Sequence, residues 1–136
     1  HGWLTGSHDN QLKNTIEMLK NKCTNTNISL FIDNINSVKY AADMDVDLIE
    51  IHTGKFSKAI KNNDNSVLDE IRDMIDLALN KNLKINAGHD LNLNNLHYLV
   101  EIGNINEVSI GHALIIDSLH YGFEKTISKY LEIIRK

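Results

Sequence analysis

Four short apolar runs mark the chain, each closed by polar or glycine residues. They are residues 27–33 (NISLFID), 46–54 (VDLIEIHTG), 83–89 (LKINAGH) and 106–113 (NEVSIGHA). Their length and their richness in Ile, Leu, Val and Phe predict buried strands. Helical periodicity fills the intervals. Leu12, Ile16 and Leu19 are spaced by four and three, with Asp9 or Asn10 as the N-cap. Val38, Ala41 and Ala42 mark a short helix, and Leu96, Leu99 and Val100 mark another. Val67, Leu68, Ile71, Ile75, Ala78 and Leu79 line a longer helix that Asp64 or Asn65 can cap. The clearest stripe is Leu119, Phe123, Ile127, Tyr130, Leu131 and Ile134, in the last helix. The predicted order is one helix, then strand–helix four times.

Strands separated by helices run parallel, because a parallel crossover needs a dozen or more residues. The fold class is therefore α/β. Four such units suit a small open sheet, or half of a (β/α)8 barrel, which takes about 250 residues. The 136 residues contain no proline and no Ser/Gly-rich linker, so one domain with no internal boundary is expected. An apolar content of 42% with 24% charged residues excludes a disordered chain. A net charge of -4, with no basic cluster, argues against nucleic acid and against a membrane surface as partners. No apolar run approaches the about 18 residues of a membrane span, and no signal-peptide pattern is present. The only cysteine, Cys23, cannot form an internal disulfide, which points to the cytoplasm. The chain opens at His1 on HGWLTGSHDNQ, a loop interior followed by a cap, so a fragment or the ordered part of a longer protein is expected.

The reactive side chains gather at the C-terminal ends of the strands, the edge where parallel α/β folds bind ligands. Glu50 and His52 are two apart and share a strand face, opposite Ile49 and Ile51. A carboxylate and an imidazole there can move protons or orient a substrate; the plainer alternative is a buried Glu–His hydrogen bond. Asn86 and Gly88 share a face, and His89 emerges at the strand end as a possible general acid or base, or as a helix cap. Gly88 permits a tight turn or a close ligand approach. Gly111 and His112 end the last strand just before a helix, where free N–H groups bind anions. His8, His97 and His120 read as surface or packing residues. No closed zinc spacing or His-x-x-x-His pair occurs, so no metal is expected, and no phosphate-cradling Walker loop or G-x-G-x-x-G is present.

Taken in order, SLFID, IEIHTG, NAGH-x-LN and IGHA resemble the pyridoxine 5′-phosphate synthase family over essentially the whole chain. The resemblance implies a (β/α)8 barrel of which this chain supplies strands five to eight, preceded by the helix after strand four, with residues 1–6 just beyond the strand-four loop. It implies condensation of 3-amino-2-oxopropyl phosphate with 1-deoxy-D-xylulose 5-phosphate to pyridoxine 5′-phosphate, phosphate and water. It also implies no metal or organic cofactor and an octameric assembly. His89 matches the family's proton donor, Glu50 its transition-state stabiliser, and Gly111 with His112 its phosphate-binding pair. His52, Asn86 and Gly88 are supporting positions. Asp90 stands where the family usually has a phosphate-contacting Gly; a carboxylate there repels phosphate unless its side chain turns away or its N–H alone makes the contact. The family's other proton-transfer groups lie in the first half of the barrel, which is not in this sequence.

The expected function is thus synthase chemistry on small phosphorylated substrates. The 136 residues alone are expected to be inactive, and to self-associate or need the other half because two sheet edges are open. The rival readings are a non-catalytic sugar-phosphate-binding half-barrel and a purely oligomerising one.

Overall fold

The computed structural model describes residues 6, 8–23 and 25–135. All four apolar runs form strands: β1 Ser29–Ile32, β2 Leu48–His52, β3 Lys84–Gly88 and β4 Glu107–Ser109. They make one parallel sheet in the order β1-β2-β3-β4. Neighbours in sequence are neighbours in space, as in part of a (β/α) barrel. Both edge strands lack a further partner strand among the described residues.

The two faces of the sheet differ because side chains alternate along a strand. Leu30, Ile32, Ile49, Ile51, Ile85 and Ala87 are buried and point to the helices. Phe31, Glu50, His52 and Asn86 lie on the other face and are only half-buried. The helical layer comprises α1 Asp9–Lys22, α2 Ile35–Asp43, α3 Gly54–Lys61, α4 Val67–Asn80, α5 Leu96–Ile102, α6 His112–Tyr121 and α7 Phe123–Ile134. Val38 and Ala41 of α2, Phe56 of α3, Ile71, Met74, Ile75 and Ala78 of α4, and Leu96 and Leu99 of α5 complete the core. At about 1.5–3 kcal/mol for each fully buried large apolar side chain, this one-sided core is what holds the sheet flat against its helices.

Several local expectations are corrected. The helix α1 begins at Asp9, so Asp9 is not its cap; its carboxylate instead accepts from the Gly6 N–H at 2.9 Å and the Tyr40 hydroxyl at 2.6 Å, tying α1 to α2. Asp64 does not cap α4 directly. It accepts from the Ser66 N–H and hydroxyl, and Ser66 is the N-cap. The β2–β3 crossover carries two helices, because α3 starts immediately after Thr53 and buries Phe56. The last stripe is not one helix. Gly122, at φ 83°, breaks it into α6 and α7. Its members Leu119 and Phe123 are exposed, while Tyr130 is buried as expected, together with Thr126, which the stripe did not include. The ladder of β4 ends at Ser109, so Gly111 and His112 do not end a strand; Gly111 is the N-cap of α6 and His112 its first residue. An edge strand paired on one side only has little to prolong it. The expected place of residues 1–6 concerns positions that, Gly6 apart, lie outside the described residues.

Candidate active site

Register decides which groups meet at the C-terminal edge. Glu50 pairs with Asn86, His52 with Gly88, and Gly88 with Ser109. Glu50, Asn86 and Glu107 therefore form one row across the half-buried face, and His52, Gly88 and Ser109 the row above it. Gly88 is there because nothing larger fits: a Cβ would run into Glu50 Oε1 and come within 3.0 Å of the Ser109 Cβ. The bare backbone lets the Glu50 carboxylate lean across β3.

Beyond Gly88 the chain takes a turn that few side chains tolerate. His89 has φ 94° and Asp90 φ 58°. Positive φ costs about 1–3 kcal/mol at a non-glycine residue unless surrounding contacts hold it. Here they do. The Thr53 hydroxyl donates to the His89 carbonyl at 2.6 Å. The Asp90 carbonyl accepts from the Ser57 hydroxyl at 3.0 Å, Asn95 Nδ2 at 3.1 Å and Asn92 Nδ2 at 3.2 Å. Thr53 and Asn95 are buried, so their two bonds are partly withdrawn from water, while those of Ser57 and Asn92 are exposed. The turn also accounts for Asp90. Asp and Asn are the non-glycine residues that best accept left-handed backbone, so Asp90 suits this position.

The imidazole of His52 stacks on that of His89, with ring centres 4.4 Å apart and a tilt of 27°. Phe31 meets His52 edge-on at 5.1 Å. Gly54 completes the packing: a Cβ there would lie 2.6 Å from His52 Cε1 and 3.1 Å from His89 Cδ2. Burial and then the neighbouring His89 push the His52 pKa below its ordinary 6.5, with Asp33 acting the other way. His89 Nε2 lies 3.8 Å from Asp90 Oδ2, and both side chains remain half in solvent.

Two cavities open at this edge. One, of about 340 Å³, is lined by Asp33, His52, Gly54, Lys55, His89 and also Lys58 and Asp90. The other, of about 310 Å³, is lined by Ser57, Lys58, Lys61, Asp90, Gly111 and His112. Lys58 and Asp90 border both. The second cavity faces the start of α6, whose first N–H groups have no partner within the helix and carry its positive dipole end.

The expected residues thus divide. His52, Gly88, His89 and Glu50 converge at the ends of β2 and β3. Gly111, His112 and Asp90 border the second cavity. Asn86 sits one row deeper, beside Glu50. His8, His97 and His120 belong to α1, α5 and α6 surroundings instead, with His97 packed on Tyr98 and His120 near Tyr121. Cys23 is exposed at the end of α1. Among the described residues no three His, Cys, Asp or Glu side chains gather as metal ligands would. Sequence reasoning missed Thr53, Gly54, Ser57, Lys58 and Asn95. The run HTG-x-x-S and the Asn-rich NLNNL were visible, but Thr53 and Ser57 find their partners, and Asn95 finds Ser57, over thirty residues away, where only folding pairs them.

The family model described as Pyridoxal phosphate biosynthesis protein PdxJ matches residues 1–136. The chain belongs to that family. Pyridoxine 5′-phosphate synthase of Cytophaga hutchinsonii is 38% identical over 99% of this chain and 57% of its own length. That of Christiangramia forsetii is 36% identical over 98% of the chain and 56% of its own length, and that of Rhizobium meliloti 35% over 96% and 54%. The chain therefore spans just over half the length of these relatives. Within the family's frame, the sheet and its helices are part of a (β/α) barrel, and the residues at the mouth are the ones to test for chemistry. Among the described residues no helix is long and apolar enough to cross a membrane.

Proposed function

We propose that this chain is the second half, strands five to eight, of the barrel of a pyridoxine 5′-phosphate synthase. In this reading the complete protein condenses 3-amino-2-oxopropyl phosphate with 1-deoxy-D-xylulose 5-phosphate in the cytoplasm, as a homo-oligomer of the octameric kind the resemblance implies. The observation that carries the reading is the clamped His89–Asp90 turn at the border of two adjoining cavities, one of them at the start of α6.

The chemistry follows from the groups present. Amine addition to a carbonyl, dehydration and ring closure all need positioned proton donors and acceptors. His89 donates a proton to a leaving oxygen. Glu50 offsets positive charge that develops on nitrogen. The α6 N–H groups at Gly111 and His112, with Lys58 and Lys61 beside them, bind a phosphate. Holding two phosphorylated substrates in neighbouring cavities turns an encounter into an oriented reaction. Asp90 leaves its carboxylate half in solvent beside His89, so the phosphate contact there falls to the backbone and to Lys58.

The test is turnover by the complete protein. His89→Asn and Glu50→Gln each lower kcat about 100-fold or more with folding intact. Lys58→Ala raises KM for a phosphorylated substrate about three- to tenfold and leaves kcat nearly unchanged, since a half-exposed charge contributes about 1 kcal/mol. The isolated 136-residue chain shows no turnover. Full activity in His89→Asn refutes the assignment, and phosphate binding that persists without any turnover favours a binding module instead.

A further inference from the structure

We propose that His52 and His89 act as one imidazole pair that holds a single proton, in which neutral His52 positions the His89 ring and leaves the exchangeable proton on His89. The chemical consequence rests on the synthase reading above; the pair itself does not.

The geometry confines His52 on several sides. Its ring is stacked at 4.4 Å on His89 and met edge-on by Phe31. The Gly54 N–H donates to its Nδ1 at 3.3 Å, which assigns the proton of the neutral ring to Nε2. Gly54 itself can carry no side chain, because both rings already occupy that space. His89 differs: its backbone is fixed through Thr53, but its side chain is half in solvent, with Asp90 beside it.

Charges from every neighbouring element bear on the pair. Asp33 beyond β1 and Asp90 beside His89 favour a cation. Lys55 and Lys58 on α3 line the same cavity and oppose one. A second proton on rings this close meets both the first charge and the lost hydration of the more enclosed ring. The lowered His52 pKa has these same two causes, burial first and His89 second. Of the two rings, His89 is the one whose side chain stands half in solvent, so the exchangeable proton is placed there. In catalysis the His89 N–H bond breaks, its electron pair stays on nitrogen, and an O–H bond forms on the leaving oxygen. Solvent restores the proton, and His52 remains neutral throughout.

The experiment is a pH titration of histidine-labelled protein followed by NMR of the ring carbons and nitrogens. In the wild type, the His52 shifts respond to the neighbouring imidazole, as interacting sites do. In His89→Asn the His52 midpoint rises toward 6.5. In the complete protein, His52→Asn lowers kcat about tenfold or more while KM stays within about twofold, the pattern of a group that acts in the transition state. A His52 midpoint unmoved by His89→Asn overturns the pair. Linked titration in a protein without turnover upholds the pair and refutes the synthase reading.

Discussion

Replacing Gly54 by Ala tests the packing of the candidate site with one added carbon. Gly54 is buried at the start of α3, and its backbone does not occupy the left-handed region, so Ala meets no conformational penalty. The whole effect is steric. The new Cβ would lie 2.6 Å from His52 Cε1 and 3.1 Å from His89 Cδ2. Carbon atoms rest at about 3.5–4.0 Å, so His52 must retreat by about 1 Å. It cannot do so freely, because Phe31 and His89 flank its ring. Overpacking of this kind costs about 1–3 kcal/mol. In a domain of this size each kcal/mol lowers the thermal midpoint by about 3–5 °C. A displacement of about 1 Å at reacting groups can lower turnover about 100-fold. Thermal unfolding measures the first effect, and kcat of the complete protein the second. Histidine ring resonances report the displacement directly. A variant with an unchanged midpoint and unchanged His52 and His89 resonances would refute the reasoning, since it would mean the rings do not fill that space.

Gly111 provides the contrast: a Cβ there meets nothing within 4 Å and its φ is −107°, so Gly111→Ala leaves the unfolding midpoint within about 2 °C. Tyr130 donates its hydroxyl to Asp117 Oδ2 at 2.7 Å, joining α7 to α6; Tyr130→Phe costs about 1.5–3 kcal/mol in denaturant unfolding. Burial, then the Asp117 carboxylate, raise the Tyr130 pKa well above the ordinary 10.0. The unfolded state then loses its phenolic proton first, so stability is full below pH 10 and declines as pH rises above it; Tyr130→Phe removes that part of the slope. For His52 the sign is opposite. Its depressed folded pKa makes the contribution complete above pH 6.5 and progressively lost below it, and His52→Phe flattens the acid limb of an unfolding series.

Much of the architecture was legible in the chain itself. Four apolar runs between helical stripes required a parallel sheet, and the alternation in LIEIH placed Glu50 and His52 opposite Ile49 and Ile51 without any coordinates. The motifs at the strand ends pointed to the edge at which the two cavities open. The local signals that misled were those that tertiary contacts outweigh. Asp9 has the chemistry of a cap, yet Tyr40, thirty-one residues away, claims its carboxylate. The stripe from Leu119 to Ile134 has helical spacing, yet Gly122 divides it and the faces of α6 and α7 are set by what each packs against.

The amino-acid sequence by itself determined the strand faces, the order of the units and the residues available at the mouth, because period and composition are local properties. Only the tertiary structure decided how those residues meet. The stacking of His52 on His89, the clamp that Thr53 and Ser57 place on the His89–Asp90 turn, and the cavity between α3 and α6 each join segments that are distant in the chain. Such contacts depend on strand register and helix placement, which are fixed by burying the apolar face of the whole sheet.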